Sequence, residues 1–173
     1  MLIRDIDKFL KTSSPINNKK LKLAFDIYRL SFYDDVPSSR FLNLINILEV
    51  LAPKKEKDNK TLELIDRWEA ERKERLQNSE KGSAEEQSLM DLESTLHFGR
   101  KQSIGSSIYD FVLNELNDTD KATAAKKWYK ARSKLVHNGI FKKPEGMITP
   151  IENIIEEILK KKLDELAPDG GRG

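Results

Sequence analysis

The chain has 173 residues, a net charge of +2, 38% hydrophobic and 35% charged residues, 8 Gly, 6 Pro and no Cys. This length suffices for one domain with a core, and the composition excludes collagen-like and low-complexity proteins. The lack of Cys excludes disulfides and thiolate metal sites, and neither an apolar run of about 18 residues nor a signal-peptide pattern is present. We therefore expect a cytoplasmic protein without a membrane segment.

The first part of the chain predicts helices separated by short polar breaks. Apolar residues at helical spacing predict a short helix at the start of the chain and a second over 18–32. The first of these would run through Leu2, Ile3, Ile6 and Phe9. Ser38 or Ser39 can cap a third helix in the run RFLNLINILEVL, which we expect to end at Pro53.

A strongly charged segment follows at 53–82. Residues 54–81 contain nine basic and eight acidic side chains. The apolar positions form only a narrow seam of Leu64, Ile65, Trp68 and Leu76. This pattern predicts a long, mostly exposed helix, which we interpret as an insertion or extension of the domain.

The second half of the chain carries clear signals for helix ends. Ser83 and Glu86 predict a capping box for a helix that ends near Gly99. Helices over 106–117 and 120–137 follow, and Gly139 is expected to terminate the second of these in a left-handed conformation.

The last helix is predicted to begin with Thr149 as its cap, Pro150 in its first position and Glu152 closing a capping box. No segment has the alternation typical of a strand. The predicted fold class is therefore all-α, a bundle of about six to seven helices that forms a single domain over 1–167. A disordered tail is expected at 168–173.

An arginine lies on the apolar face of the helix over 120–137. When each residue is advanced by about 100° around the helix axis, Arg132 is centred among Ala125, Trp128, Tyr129 and Leu135. An arginine keeps its charge, so burial without a partner would cost several kcal/mol. It therefore requires a carboxylate, a set of carbonyl groups, or an anion that reaches it through a cleft.

Glu49 is the candidate carboxylate, because it lies on an apolar face of the earlier run RFLNLINILEVL. Two interpretations follow. Glu49 and Arg132 can form a buried ion pair that fixes the register of two helices, or they can belong to a site that receives an anion.

His137 follows Arg132 by five residues and lies about 140° from it around the helix. It shares this face with Lys126, Lys130 and Lys134. Residues 120–143 contain eight Lys or Arg and one acid. Such a surface can attract phosphate, although solvated lysines and a histidine that complements the helix C-terminus are the structural alternative.

The stretch YKARSKLVHNG at 129–139 resembles the signature of HEPN domains, in which an Arg, four to six residues and a His end a core helix. Its flanks resemble the "Y..RS.ivHg" form of the Apea-like branch, and RFLNLINILEVL resembles an earlier helix of that branch. The resemblance covers roughly 21–139 and implies an all-α fold. Active members often have Asn, Asp or His directly after the arginine, where this chain has Ser133.

The resemblance implies a metal-independent endoribonuclease that works as a homodimer without a cofactor, with both motifs at one cleft. Arg132 would hold the phosphate, His137 would act as base or acid, and Glu49 would orient Arg132. Contacts to RNA would come from Ser133, Asn138, Lys126, Lys130 and Lys134. Such a protein would be a toxin or antiviral defence effector, with an antitoxin or an activating protein as its partner. The alternative is a non-catalytic HEPN module that binds RNA, a nucleotide or a partner protein.

Overall fold

The computed structural model describes residues 18–139 and 144–166, except for the side chain of Asn138. Within this part the regular structure is helical, which confirms the all-α class, and one isolated antiparallel bridge joins Glu56 and Lys101. The helix predicted over 2–9 and the tail predicted at 168–173 lie outside the described residues.

Seven helices follow one another in the described residues: α1 (Lys19–Phe32), α2 (Pro37–Leu51), α3 (Asn59–Asn78), α4 (Ala84–Gly99), α5 (Ile104–Leu116), α6 (Thr119–Asn138) and α7 (Glu145–Leu166). Helices α1, α2, α5, α6 and α7 belong to one compact unit, and residues 54–103 form a second. The second unit contains most of the predicted charged segment 53–82 and continues through α4.

Helix α2 is the centre of the first unit, where it contacts α1, α5, α6 and α7. Its apolar residues occupy more than one face, which is typical of a helix surrounded by others. Five of them are fully buried: Phe41, Leu44, Ile45, Ile47 and Leu48. Each such side chain contributes about 1.5–3 kcal/mol to folding relative to exposure. The position of α2 therefore fixes where its polar residues lie.

The beginning of α2 differs from the prediction. Pro37 stands at the start of the helix and Val36 precedes it without a side-chain cap, so Ser38 and Ser39 are not caps. Proline is already fixed at a helical φ and has no N–H to satisfy, which suits a first helical position. The Ser39 hydroxyl instead donates to the carboxylate of Asp34.

Helix α1 lies against α2 and is tied to α7 by a tyrosine. Asn18 caps it, accepting hydrogen bonds from the N–H groups of Lys20 at 3.1 Å and Leu21 at 3.2 Å. The Tyr28 side chain is fully buried, and its hydroxyl donates to Glu156 Oε1 at 2.8 Å. Burial, together with this carboxylate, raises the pKa of Tyr28 well above its ordinary value.

Helix α7 begins earlier than predicted. Thr149 and Pro150 lie inside it rather than at its start, so the predicted cap is wrong. Met147 and Ile148 pack against the core, and this contact favours a helical conformation ahead of the proline. Glu152 does not close a capping box; its Oε1 accepts a hydrogen bond from Arg40 Nε at 3.0 Å.

The second unit contains the helices α3 and α4, which are joined by a short loop. The predicted cap of α4 is present. The Glu86 N–H donates to Ser83 Oγ at 3.1 Å, and the Glu86 carboxylate accepts from the Gly82 N–H at 2.6 Å. These bonds confirm Ser83 as the cap of α4.

The seam between α3 and α4 is only partly the predicted one. Ile65 is buried, but the predicted seam residue Trp68 is 50% exposed. Arg72 follows Ile65 by seven residues and therefore shares its face. Its side chain is only 3% exposed, and Nη2 lies 3.5 Å from Glu93 Oε2. The apolar seam is thus interrupted by a buried charge.

Candidate functional site

Helix α6 carries most of the residues of the candidate site, and both of its ends are capped. Asp118 caps it, accepting from the N–H groups of Asp120 at 3.0 Å and Lys121 at 2.9 Å. At the other end Gly139 has a φ of 65°, and its N–H donates to the Leu135 carbonyl at 2.9 Å. This left-handed residue is the predicted terminator, and glycine adopts the conformation without strain.

Arg132 and Glu49 are neighbours, as the sequence predicted. Arg132 Nη2 lies 3.6 Å from Glu49 Oε2, and the two side chains are 27% and 30% exposed. The pairing is therefore confirmed, whereas the expectation of a buried pair is wrong. The apolar face of α6 leaves the core near its C-terminal end, since Ala125 is fully buried while Val136 is 53% exposed.

Both partners retain polar atoms without a hydrogen bond. Glu49 Oε2 and Arg132 Nε are shielded from solvent and have no hydrogen-bond partner in the described structure. A separation of 3.6 Å is an ion pair but too long for a hydrogen bond. Because Nε is shielded, only the exposed part of the Arg132 side chain can meet an incoming oxyanion, to which a guanidinium donates charge-assisted hydrogen bonds.

Glu49 lies in the last turn of α2. The free carbonyl groups there carry partial negative charge, so a carboxylate is disfavoured at this end of a helix. The guanidinium of Arg132 offsets this repulsion.

Tyr129 packs beside the arginine. Its ring centre lies 6.0 Å from Arg132 Cζ, within range of a weak cation–π contact. Burial raises the pKa of Tyr129, the charge of Glu49 adds to this, and the charge of Arg132 opposes it. Tyrosine, arginine and glutamate thus form one electrostatic group.

Gly105 on α5 makes room for this ring. A Cβ atom at Gly105 would lie 3.2 Å from Tyr129 Cδ1, tighter than ordinary van der Waals contact. Gly105 is not among the predicted site residues, because the sequence pattern places the start of this helix at Ser106. The available signal was a glycine at the edge of an apolar helix, which often marks a close approach.

The predicted lysine row is divided by the structure. Lys126 is half-buried and turned towards α5, where its ammonium group lies 5.7 Å from the Tyr109 ring centre and donates to Ser106 Oγ at 3.4 Å. Lys130 and Lys134 are exposed, as is Lys127, which the prediction did not include.

His137 is exposed in the last turn of α6. In an ideal helix it is displaced from Arg132 by about 140° around the axis and about 7.5 Å along it. The two residues therefore point to different faces of the same helix. Ser133 is half-buried. The predicted role of Asn138 depends on its side chain, which lies outside the part of the chain that the structure describes.

Within the described residues, no group of three or more His, Asp or Glu side chains is arranged to hold a metal ion. None of the described helices has both the length and the apolar character needed to cross a bilayer. Comparison of the chain with protein-family models, with curated proteins and with solved structures finds no match.

Proposed function

We propose that this protein is a HEPN-type endoribonuclease that acts as a homodimer and cleaves RNA without a metal ion. The observation that carries the proposal is the partly exposed side chain of Arg132, held 3.6 Å from Glu49. His137 is exposed in the last turn of the same helix. A group that can bind phosphate and a titratable group thus lie within two turns of each other but on different faces of α6, so the proposal requires the second subunit to bring an Arg132 and a His137 to one phosphate.

The chemistry requires few protein groups because RNA supplies its own nucleophile. A neutral imidazole of His137 removes the proton of the 2′-OH, and the 2′-oxygen attacks the adjacent phosphorus. The guanidinium of Arg132 stabilises the charge that develops on the phosphoryl oxygens. A protonated imidazole then donates its proton to the departing 5′-oxygen. The products are a 2′,3′-cyclic phosphate and a 5′-hydroxyl end.

Two histidines are needed if one acts as base and the other as acid in the same turnover. Two-fold symmetry supplies both from identical chains. Glu49 holds Arg132 in place during the reaction. Sedimentation at micromolar concentration tests this requirement, and a monomer that still cleaves RNA would contradict it.

The decisive experiment measures RNA cleavage in excess EDTA by the wild type and by His137→Ala, with analysis of the product ends. We expect cyclic phosphate from the wild type and none from the variant. His97→Ala is the matched control, because His97 is also exposed in the last turn of a helix. Cleavage that survives in His137→Ala would refute the proposal.

Arg132→Ala provides a second test because the pair is partly exposed. Such pairs contribute about 1 kcal/mol or less to stability. We therefore expect a folded variant that has lost cleavage. A loss of several kcal/mol would instead favour a structural role for the pair.

A second candidate function is a non-catalytic module that binds RNA, a nucleotide or a partner protein. It is favoured by the engagement of Arg132 with Glu49 and by the different directions of Arg132 and His137 on α6. Binding of RNA without cleavage by the wild type would support this alternative.

A further inference from the structure

Helix α6 presents a row of exposed lysines on the side opposite Arg132. Lys127, Lys130 and Lys134 are all exposed. In an ideal helix they lie about 140–160° from Arg132 around the axis, and His137 ends the same row. We refer to these three lysines as the α6 lysine stripe.

The charges of this stripe are not neutralised within the described residues. Residues 121–138 contain no acid, and none of the three lysines forms an ion pair there. The lysines of α7 differ, since Lys161 lies 3.2 Å and Lys162 lies 2.7 Å from carboxylate oxygens of Glu115. The positive potential on α6 is therefore available to an external anion.

The dimensions of the stripe fit one strand of a nucleic acid. Its lysines are spaced by about 4.5 Å and about 6 Å along the helix axis, so the stripe is about 10.5 Å long. A double-stranded-RNA-binding domain spans about 16 base pairs and contacts two minor grooves, far more than this stripe covers. A single straight row of this length instead reaches a few consecutive phosphates of one strand.

We propose that the α6 lysine stripe binds the backbone of single-stranded RNA and leads it to His137. This inference rests on the proposed function and specifies its substrate class. It assigns Lys127 to the binding surface and leaves Lys126 out, because the ammonium group of Lys126 contacts Tyr109 and Ser106. The phosphates at the stripe are distinct from the one at Arg132, which lies on the opposite face.

The test measures the affinity of a short single-stranded 2′-O-methyl RNA for the wild type and for Lys127→Gln/Lys130→Gln/Lys134→Gln. Each lysine that neutralises a phosphate contributes about 0.7 to the slope of log affinity against log salt. We expect the triple variant to bind at least about tenfold more weakly at low salt, with a slope lower by about two. Unchanged affinity and slope would overturn the inference.

Lys19→Gln/Lys20→Gln/Lys22→Gln is the matched control. These lysines are also exposed, form no ion pair among the described residues, and lie on α1, which packs on α2. The change in net charge is the same in both variants. An equal loss of affinity in the control would therefore show that the net charge of the protein attracts the RNA, and it would overturn the proposed role of the stripe. Tighter binding of a duplex of the same sequence, or of vesicles with anionic lipid, would also overturn it.

The 2′-O-methyl RNA lacks a free 2′-OH and cannot be cleaved by the proposed reaction. Its affinity is therefore measured independently of cleavage. Stripe-dependent binding by a wild type that leaves ordinary RNA intact would refute the nuclease and support the stripe. Cleavage that is equal in the wild type and in the stripe variant would refute the stripe and support the nuclease.

Discussion

Glu115 joins the end of α5 to α7 through two lysines. Its carboxylate oxygens lie 3.2 Å from Lys161 Nζ and 2.7 Å from Lys162 Nζ. Burial alone would raise the pKa of Glu115, but the hydrogen bonds from these lysines outweigh it and hold the pKa below the ordinary value of 4.5. Folding therefore favours the ionised form of this side chain.

This lowered pKa predicts a contribution to stability that is lost in acid. An acid whose pKa is depressed by folding stabilises the protein above its unfolded pKa and ceases to do so as the pH falls through the folded pKa. We expect Glu115→Gln to lower the melting temperature at pH 7 and to show a smaller further decrease below pH 4.5 than the wild type. Thermal unfolding followed by circular dichroism from pH 7 to pH 3 measures both effects.

Glu63→Gln is the control for Glu115→Gln, because Glu63 is exposed and has no ion pair among the described residues. It should leave the melting temperature at pH 7 nearly unchanged. An acid-induced decrease that is the same for Glu115→Gln and the wild type would contradict the assignment.

Gly105 and Gly146 provide a matched pair for the packing of Tyr129. Both lie in helices, but a Cβ at Gly105 would meet the Tyr129 ring at 3.2 Å, whereas a Cβ at Gly146 meets nothing within 4 Å. Alanine has a higher helix propensity than glycine by up to about 1 kcal/mol. We expect Gly146→Ala to be neutral or stabilising and Gly105→Ala to be less favourable by about 1 kcal/mol. Urea unfolding measures the difference in the free energy of unfolding. Equal effects of the two substitutions would show that the Tyr129 ring moves aside without cost.

Arg132 shows what a helical wheel predicts and what it omits. The wheel correctly paired the arginine with Glu49, because both are charges on apolar faces. It could not predict how far the two side chains are exposed to solvent, since burial depends on where the neighbouring helices end. Lys126 illustrates the same limit: its angle suited the basic face, but Tyr109 and Ser106 on α5 lie close enough to hold it.

At the level of helices, α7 contains a proline whose position can be tested. Pro150 has no N–H and lies beyond the first turn of a helix that begins at Glu145. A proline inside a helix costs about 3 kcal/mol, whereas one in the first position costs little. We expect Pro150→Ala to raise the free energy of unfolding by about 1–3 kcal/mol. An unchanged stability in urea unfolding would mean that the helix starts at the proline.

The ends of α4, α6 and α7 show which helix boundaries a sequence determines. Ser83 caps α4 with its own side chain, and Gly139 ends α6 with its own left-handed backbone conformation. The residue type alone was therefore enough to predict these two boundaries. Thr149 and Pro150 form an equally good local signal, yet packing of Met147 and Ile148 extends α7 past them. Tertiary contacts of this kind are not visible in a local pattern.

Across the whole molecule, burial is unevenly distributed between the two units. In α3 and α4 only Ile65, Arg72 and Leu96 are buried, and Arg72 is a charge. Helices α2 and α7 each bury five side chains, all of them apolar. Local opening needs less free energy where few apolar contacts are broken.

We therefore expect the backbone amides of α3 and α4 to exchange with deuterium faster than those of α2 and α7. Hydrogen exchange followed by mass spectrometry of peptides measures this order. Leu96→Ala should accelerate exchange in α3 and α4, whereas Ile155→Ala should accelerate it in the other unit. Equal protection of all four helices in the wild type would contradict the expectation.

The position of Glu49 in the last turn of α2 has a consequence for selection. A carboxylate opposes the helix dipole there, so Gln or Lys would suit the isolated helix better. Under the proposed function, the same replacements release Arg132 and reduce cleavage. Position 49 would then be a point of trade-off between stability and activity. Variants selected only for heat resistance should tolerate Gln at 49 but not Lys, whose charge would repel Arg132, and variants selected for cleavage should restore the acid.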